Sequence, residues 1–171
     1  NVNKENITEK HIQDMERIKE MRLIDDIFMS KVFEDRACAE VLLRAILKKN
    51  DLKVKNVNVQ YDIKNLQGRS VRLDILAEDE MGKIYDIEVQ RSNTGADAKR
   101  ARYNSSLLDA NITEPGDTYK KLAETYVIFI TESDVFKAGK AVYHIDRVIR
   151  ETKKIFEDEA HIIYVNSQKQ N

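Results

Sequence analysis

Asp74 and Glu88 are the residues whose types and spacing could do chemistry, because they flank one tight turn, Asp79-Glu80-Met81-Gly82. The turn ends in a glycine, which can adopt positive φ, and alternating apolar and polar residues lie on both sides of it. If the turn is symmetric about Met81, residues pair when their numbers sum to 162, and Asp74 then stands opposite Glu88. Directly opposed side chains have Cβ atoms ~4.5–5.5 Å apart and share a face. The period-two rule puts Asp86 and Gln90 on that face as well. Two carboxylates so close repel unless a cation lies between them, and a divalent metal is the obvious candidate. A solvated polar face of a hairpin is the competing reading, since 35% of the chain is charged.

The elements that must position these residues follow from hydrophobic period. Val57-Asn58-Val59-Gln60-Tyr61-Asp62-Ile63 alternates and predicts a half-buried strand. After a turn at Gln67-Gly68 comes a second strand, with Val71, Leu73, Ile75 and Ala77 on one face, and Ile84 to Gln90 forms a third. Before this meander, residues 1 to about 22 read as a weakly amphipathic lead helix, with Ile12, Met15, Ile18 and Met21 three apart. A second helical stretch runs from about Asp26 to Lys49, with a break near Glu34 to Arg36. After the meander, Gly95 to Asp109 is helical, and Glu114-Pro115-Gly116-Asp117 is a loop. Tyr126-Val127-Ile128-Phe129-Ile130 is an unbroken apolar run, as in a central strand covered on both faces. Val142, Ile145, Ile149, Thr152 and Phe156 mark a further helix, and His161 to Val165 a last strand. The expected order is α-β-β-β-α-β-α-β, which suits one α/β domain.

Composition narrows the function. A formal net charge of -1 argues against a protein held on nucleic acid by bulk charge alone, though not against a local basic site. The single cysteine, Cys38, excludes an internal disulfide and fits a reducing compartment; in an apolar helical run it reads as an inert core thiol. No apolar run approaches the ~20 residues that cross a bilayer, and no signal-peptide core is present, so no membrane association and a cytoplasmic location are expected. The first residue is Asn1 and not Met, which leaves the natural ends open. His11, His144 and His161 are scattered, without a zinc motif, and no phosphate-binding glycine loop is present, so no nucleotide cofactor is expected.

Asp74 followed by Glu88-Val89-Gln90 at the end of the next strand resembles the D-x(n)-E-x-K signature of PD-(D/E)XK nucleases. Arg72-Leu73-Asp74-Ile75 with Ile87-Glu88-Val89-Gln90 is similar, more narrowly, to the Rpn-like, recombination-promoting and transposase-annotated branch, in which glutamine replaces the final lysine. Asp25-Asp26-Ile27-Phe28 with Lys31-Val32-Phe33, and Arg100-Ala101-Arg102-Tyr103 after the sheet, match further elements of that branch. The likeness runs from about Leu23 to Asn166. It implies a restriction-endonuclease-like α/β core, an αβββαβ-type mixed sheet flanked by helices, over residues 23–171, with 1–22 as a helical extension.

The implied activity is metal-dependent endonucleolytic hydrolysis of phosphodiester bonds in DNA, linked to recombination or mobile elements. Asp74 and Glu88, with the backbone carbonyl of Val89, would hold Mg²⁺, for which Mn²⁺ could substitute. Gln90 would orient the attacking water, being unable to take its proton. Glu40 matches the glutamate that many members carry on the first core helix; its other reading is a solvated helix residue. Arg91, Lys99, Arg100 and Arg102 form a basic cluster suited to phosphate, or a solvated helix face, while Tyr103 and Leu107 read as core. A homodimer would suit a double-strand cutter. The alternatives are a catalytically inactive nuclease-fold module that binds nucleic acid or protein, and a structural domain of a longer protein.

Overall fold

The computed structural model describes residues 35–168 apart from 66, 69 and 91–94. The expected lead helix and the Asp25 to Phe33 motif lie outside the described residues, as does Arg91. The chain divides into two compact units, Asn1–Leu52 and Lys53–Asn171.

In the first unit, helix α1 (Arg36–Leu47) starts where Asp35 caps it, its side chain accepting the Ala37 amide at 3.1 Å. Ala39, Leu42, Leu43 and Ile46 recur at helical spacing and are all buried. Lys48 takes the left-handed conformation at φ 53°, which ends the helix. Cys38 is half-buried and free.

The second unit carries a six-stranded mixed sheet. Strands β1 (Val54–Lys64), β2 (Ser70–Asp79) and β3 (Ile84–Gln90) form an antiparallel meander. Helix α2 (Ala98–Ile112) then crosses over to β4 (Thr125–Thr131), which pairs parallel to β3. β5 (Val142–Ile145), β6 (Val148–Ile149), β7 (Lys154–Ile155) and β8 (Ala160–Asn166) follow, and the sheet order is β1-β2-β3-β4-β8-β5. β8 is parallel to β4, β5 is antiparallel at the edge, and β6 pairs with β7 in a separate ribbon. All seven residues of β4 are buried, as its unbroken apolar run requires of a central strand. The protein is thus mixed α/β, with the core expected of a restriction-endonuclease-like fold. No helix among the described residues is long and apolar enough to cross a membrane.

One expected element is overturned. The helix marked by Val142, Ile145, Ile149, Thr152 and Phe156 is replaced by β5 and the β6–β7 ribbon. Four of those five residues are β-branched, which costs side-chain freedom in a helix and suits a pleated surface. Pairing of Val142–Ile145 with Ile162–Val165 of β8 then decides the outcome, and Lys153 and Glu157 turn the chain with φ of 59° and 57°.

The register of the meander is pinned at its second turn. The Asp79 carboxylate accepts the amides of Met81 and Lys83 at 2.9 Å each and the Tyr85 hydroxyl at 2.7 Å, while Gly82 supplies φ of 80°. The resulting pairs, Ile75↔Ile87 through Glu78↔Ile84, all keep the sum 162. On the face shared with Asp86 and Glu88, their β4 partners Val127 and Phe129 join Ala101, Leu107 and Leu108 of α2 in one apolar cluster. Burying each such leucine is worth about 1.5–3 kcal/mol, so α2 is seated firmly over that face.

Candidate active site

The hydrogen-bond ladder between β2 and β3 stops at Ile75↔Ile87, one step before Asp74 and Glu88. Beyond that step β2 stays with β1 as far as Ser70, and β3 stays with β4 as far as Gln90, so the sheet forks. Side chains occupy the fork. The Val89 amide donates to Asp74 Oδ2 at 2.9 Å, and the Asp74 amide donates to Glu88 Oε2 at 3.4 Å. Asp74 also lies at a break in the other ladder. Its place opposite Gln60 is skipped between Val59↔Ile75 and Tyr61↔Leu73, and Gln60 has a left-handed φ of 52°. A non-glycine residue held there stores on the order of 1–3 kcal/mol of strain, beside the place where β2 presents its carboxylate.

Burial separates the acidic groups. Asp74 is half-buried, whereas Asp86 and Glu88 are 0% exposed, so the solvated-face reading does not describe them. Asp86 Oδ2 accepts Asn104 Nδ2 at 3.3 Å, and Asn104 is itself 1% exposed. Asp86 Oδ1, Glu88 Oε1 and Asn104 Oδ1 are buried without a hydrogen-bond partner. Burial pushes the Glu88 carboxyl well above the usual carboxylate range, and the charges of Asp86 and Asp74 push it further. Burial also raises Asp86, while hydrogen bonds from Glu88 and Asn104 and the Arg100 charge pull it back.

Gln90 and Arg100 meet at Gly95. A Cβ on Gly95 would collide with Gln90 Oε1, so the glutamine amide rests where only glycine leaves room. Arg100 donates from Nη1 to the Gly95 carbonyl at 2.7 Å, and its guanidinium lies 5.8 Å from the Phe129 ring centre. The segment leading into α2 is fixed by Tyr164, whose hydroxyl donates to the Ala96 carbonyl at 2.7 Å. The structure thus brings together Asp74, Glu88, Val89 and Gln90, with Arg100 beside them.

A model of the family described as PD-(D/E)XK nuclease family transposase matches residues 26–171. The chain belongs to that family. No curated protein and no solved structure matches it. Proteins of the PD-(D/E)XK class generally use divalent metals, and the fork offers the hard oxygen donors such an ion takes, the Asp74 and Glu88 carboxylates. Among the described residues, no three His, Cys, Asp or Glu side chains form a ready-made metal cage.

The remaining expected site residues are less closely gathered. Glu40, on α1 in the first unit, forms an ion pair with Arg44 at 2.5 Å. Lys99 and Arg102 are exposed on α2. Leu107 is buried as expected, but Tyr103 is 38% exposed and its hydroxyl accepts from Asn65 Nδ2, because it sits on the outer face of the helix. Asn104 and Gly95 were not expected at the site. The signal for Asn104 was its place four residues after Arg100, on the same helical face.

Proposed function

We propose that this PD-(D/E)XK protein is a Mg²⁺-dependent DNA endonuclease, with Mn²⁺ as an effective substitute, acting in recombination or on mobile elements. The observation that carries this reading is the fork itself, where half-buried Asp74 meets buried Glu88 and takes the Val89 amide. Asp74 and Glu88 hold the cation together with the Val89 carbonyl. A residue's N–H and C=O point to the same side of a strand, and the Val89 N–H points at Asp74. When bound, the cation polarises the scissile phosphate and lowers the pKa of the attacking water.

This chain's own side chains supply orientation and charge. Gln90 accepts a hydrogen bond from the water through Oε1 but cannot take its proton, so it positions and does not act as base. Arg100, anchored by Gly95 and Phe129, offers a fixed positive charge to the substrate phosphate. Lys99 and Arg102, exposed on the same helix, and Arg91 next to Gln90 extend the phosphate contact along the strand. A cytoplasmic homodimer would let two such sites cut both strands.

The test is nicking of supercoiled plasmid with Mg²⁺ or Mn²⁺ by the native chain, Asp74→Ala and Glu88→Ala. Metal-dependent nicking lost in both variants is the expected result. The glutamine in the usual lysine position favours a second reading, a non-catalytic binding module. Folded native protein that shifts DNA in a gel yet never nicks it would establish that alternative.

A further inference from the structure

The only buried side-chain atoms without hydrogen-bond partners among the described residues are three oxygens in one place: Asp86 Oδ1, Glu88 Oε1 and Asn104 Oδ1. Each belongs to a residue that is 0% or 1% exposed. With both carboxylates ionised all three are acceptors, and no backbone or side-chain N–H reaches any of them. An unsatisfied buried acceptor is costly, more so if charged, so three together call for a missing electropositive partner. Asp86 and Glu88 alternate on one face of β3, and the Asn104 hydrogen bond to Asp86 Oδ2 sets the side-chain amide of α2 beside them. Two carboxylates and an amide oxygen are the hard ligands that Mg²⁺ and Mn²⁺ prefer.

We propose that Asp86, Glu88 and Asn104 form an inner divalent-cation site beneath α2. It is distinct from the outer position at Asp74, Glu88 and Val89, and Glu88 contributes an oxygen to each. Arg100 does not fill this role: none of its N–H groups reaches any of the three oxygens, and its Nη1 is bonded to the Gly95 carbonyl. The inner ion would tie β3 to α2 and fix the Glu88 carboxylate that the outer ion uses. The outer position rests on the functional reading above; the inner one rests on the three unpartnered oxygens.

The experiment is Mn²⁺ binding to the whole chain by calorimetry, with electron paramagnetic resonance on the same samples. Native protein is expected to bind two Mn²⁺, and the second equivalent should give a spin-coupled spectrum. Asp86→Asn should lose one ion, with at least about tenfold weaker binding at that site, and keep the other. Asp74→Asn should do the reverse. Asp86→Asn that binds Mn²⁺ as the native chain does would overturn the inner site and leave the outer one standing. Loss of an ion in Asp86→Asn, with no effect of Asp74→Asn, would support the inner site and count against the nuclease reading. The resonance measurement needs no variant: saturation at one uncoupled Mn²⁺ in native protein would overturn the proposal.

Discussion

The sheet carries acidic residues at both ends of its parallel strands, and the two ends are built differently. Around the start of β3 and β4, two carboxylates have their donors. Asp79 takes two amides and the Tyr85 hydroxyl, and Glu124 meets Lys83 at 3.1 Å, His161 at 2.8 Å and the Tyr126 hydroxyl at 3.2 Å. The rings stack in a row, Tyr85 on Tyr126 at 4.9 Å and Tyr126 on His161 at 4.4 Å. At the other end, Asp86 and Glu88 are more deeply buried yet hold oxygens that nothing satisfies. A fold able to pair its charges so fully at one end has no structural need for unpaired ones at the other. The satisfied end holds the register; the unsatisfied end is where the proposed ions would sit.

The largest expected difference is between Glu88→Gln and substitutions at the satisfied end. Glu88→Gln should lower nicking by more than about 100-fold and abolish the Mn²⁺-induced rise in Tm. It should also raise metal-free stability by on the order of 1–3 kcal/mol, since a carboxyl that the fold must hold protonated is replaced by a neutral amide of the same shape. Thermal melts with and without Mn²⁺ check both effects. Asp79→Ala should do the opposite. Losing three hydrogen bonds at the turn should cost about 1–3 kcal/mol, with the same fractional gain from Mn²⁺ as in the native chain. A Glu88→Gln variant less stable than native without metal would erase the distinction between the two ends.

The register from Glu78↔Ile84 to Ile75↔Ile87, which leads up to Asp74 and Glu88, was readable because it depends on local facts, namely a four-residue turn ending in Gly82 and strict alternation on both sides. The central place of β4 was readable for a similar reason, from its apolar run. The fork was not. It depends on β2 following β1 while β3 follows β4, and on Gln60 adopting a conformation that no glutamine signals locally. Asn104 reaches Asp86 only because Leu107 and Leu108 fix the rotation of α2 on the sheet. The segment from Val142 to Phe156 was misread as helix because its pairing partner, β8, lies beyond it in the chain.

A pH series sharpens the comparison through opposite signs. Glu88 is raised in the folded protein, so its favourable contribution is complete below the ordinary carboxylate value and is lost as pH rises above about 4. Glu124 is lowered: burial pushes it up, but hydrogen bonds from His161 and Lys83 outweigh that. Its contribution is therefore present above the ordinary value and lost as pH falls through the lowered one. Denaturant melts of metal-free protein should show Glu88→Gln flattening the loss of stability towards neutral pH. Glu124→Gln should flatten the loss towards acid. Parallel pH profiles for the two variants would show that the ends do not differ in this way.

The smallest expected effect on stability comes from Gly95→Ala, which tests whether Gln90 has a positioning role. The added methyl would land on Gln90 Oε1, the far end of a flexible side chain, and within 3.3 Å of Arg100 Nη1. The glutamine can swing aside, so the fold should lose less than about 1 kcal/mol and the Mn²⁺ affinity at Asp74 and Glu88 should not change. Nicking should fall by roughly tenfold, as a displaced amide no longer holds the water in line. The fall should appear in kcat, with KM for DNA nearly constant, because Arg100 keeps its bond to the Gly95 carbonyl. An equal fall in Gln90→Ala, with no further loss in the double variant, would place both changes on one group. Full activity in Gly95→Ala would mean that the position of Gln90 is immaterial, and that Asp74 and Glu88 alone set the rate.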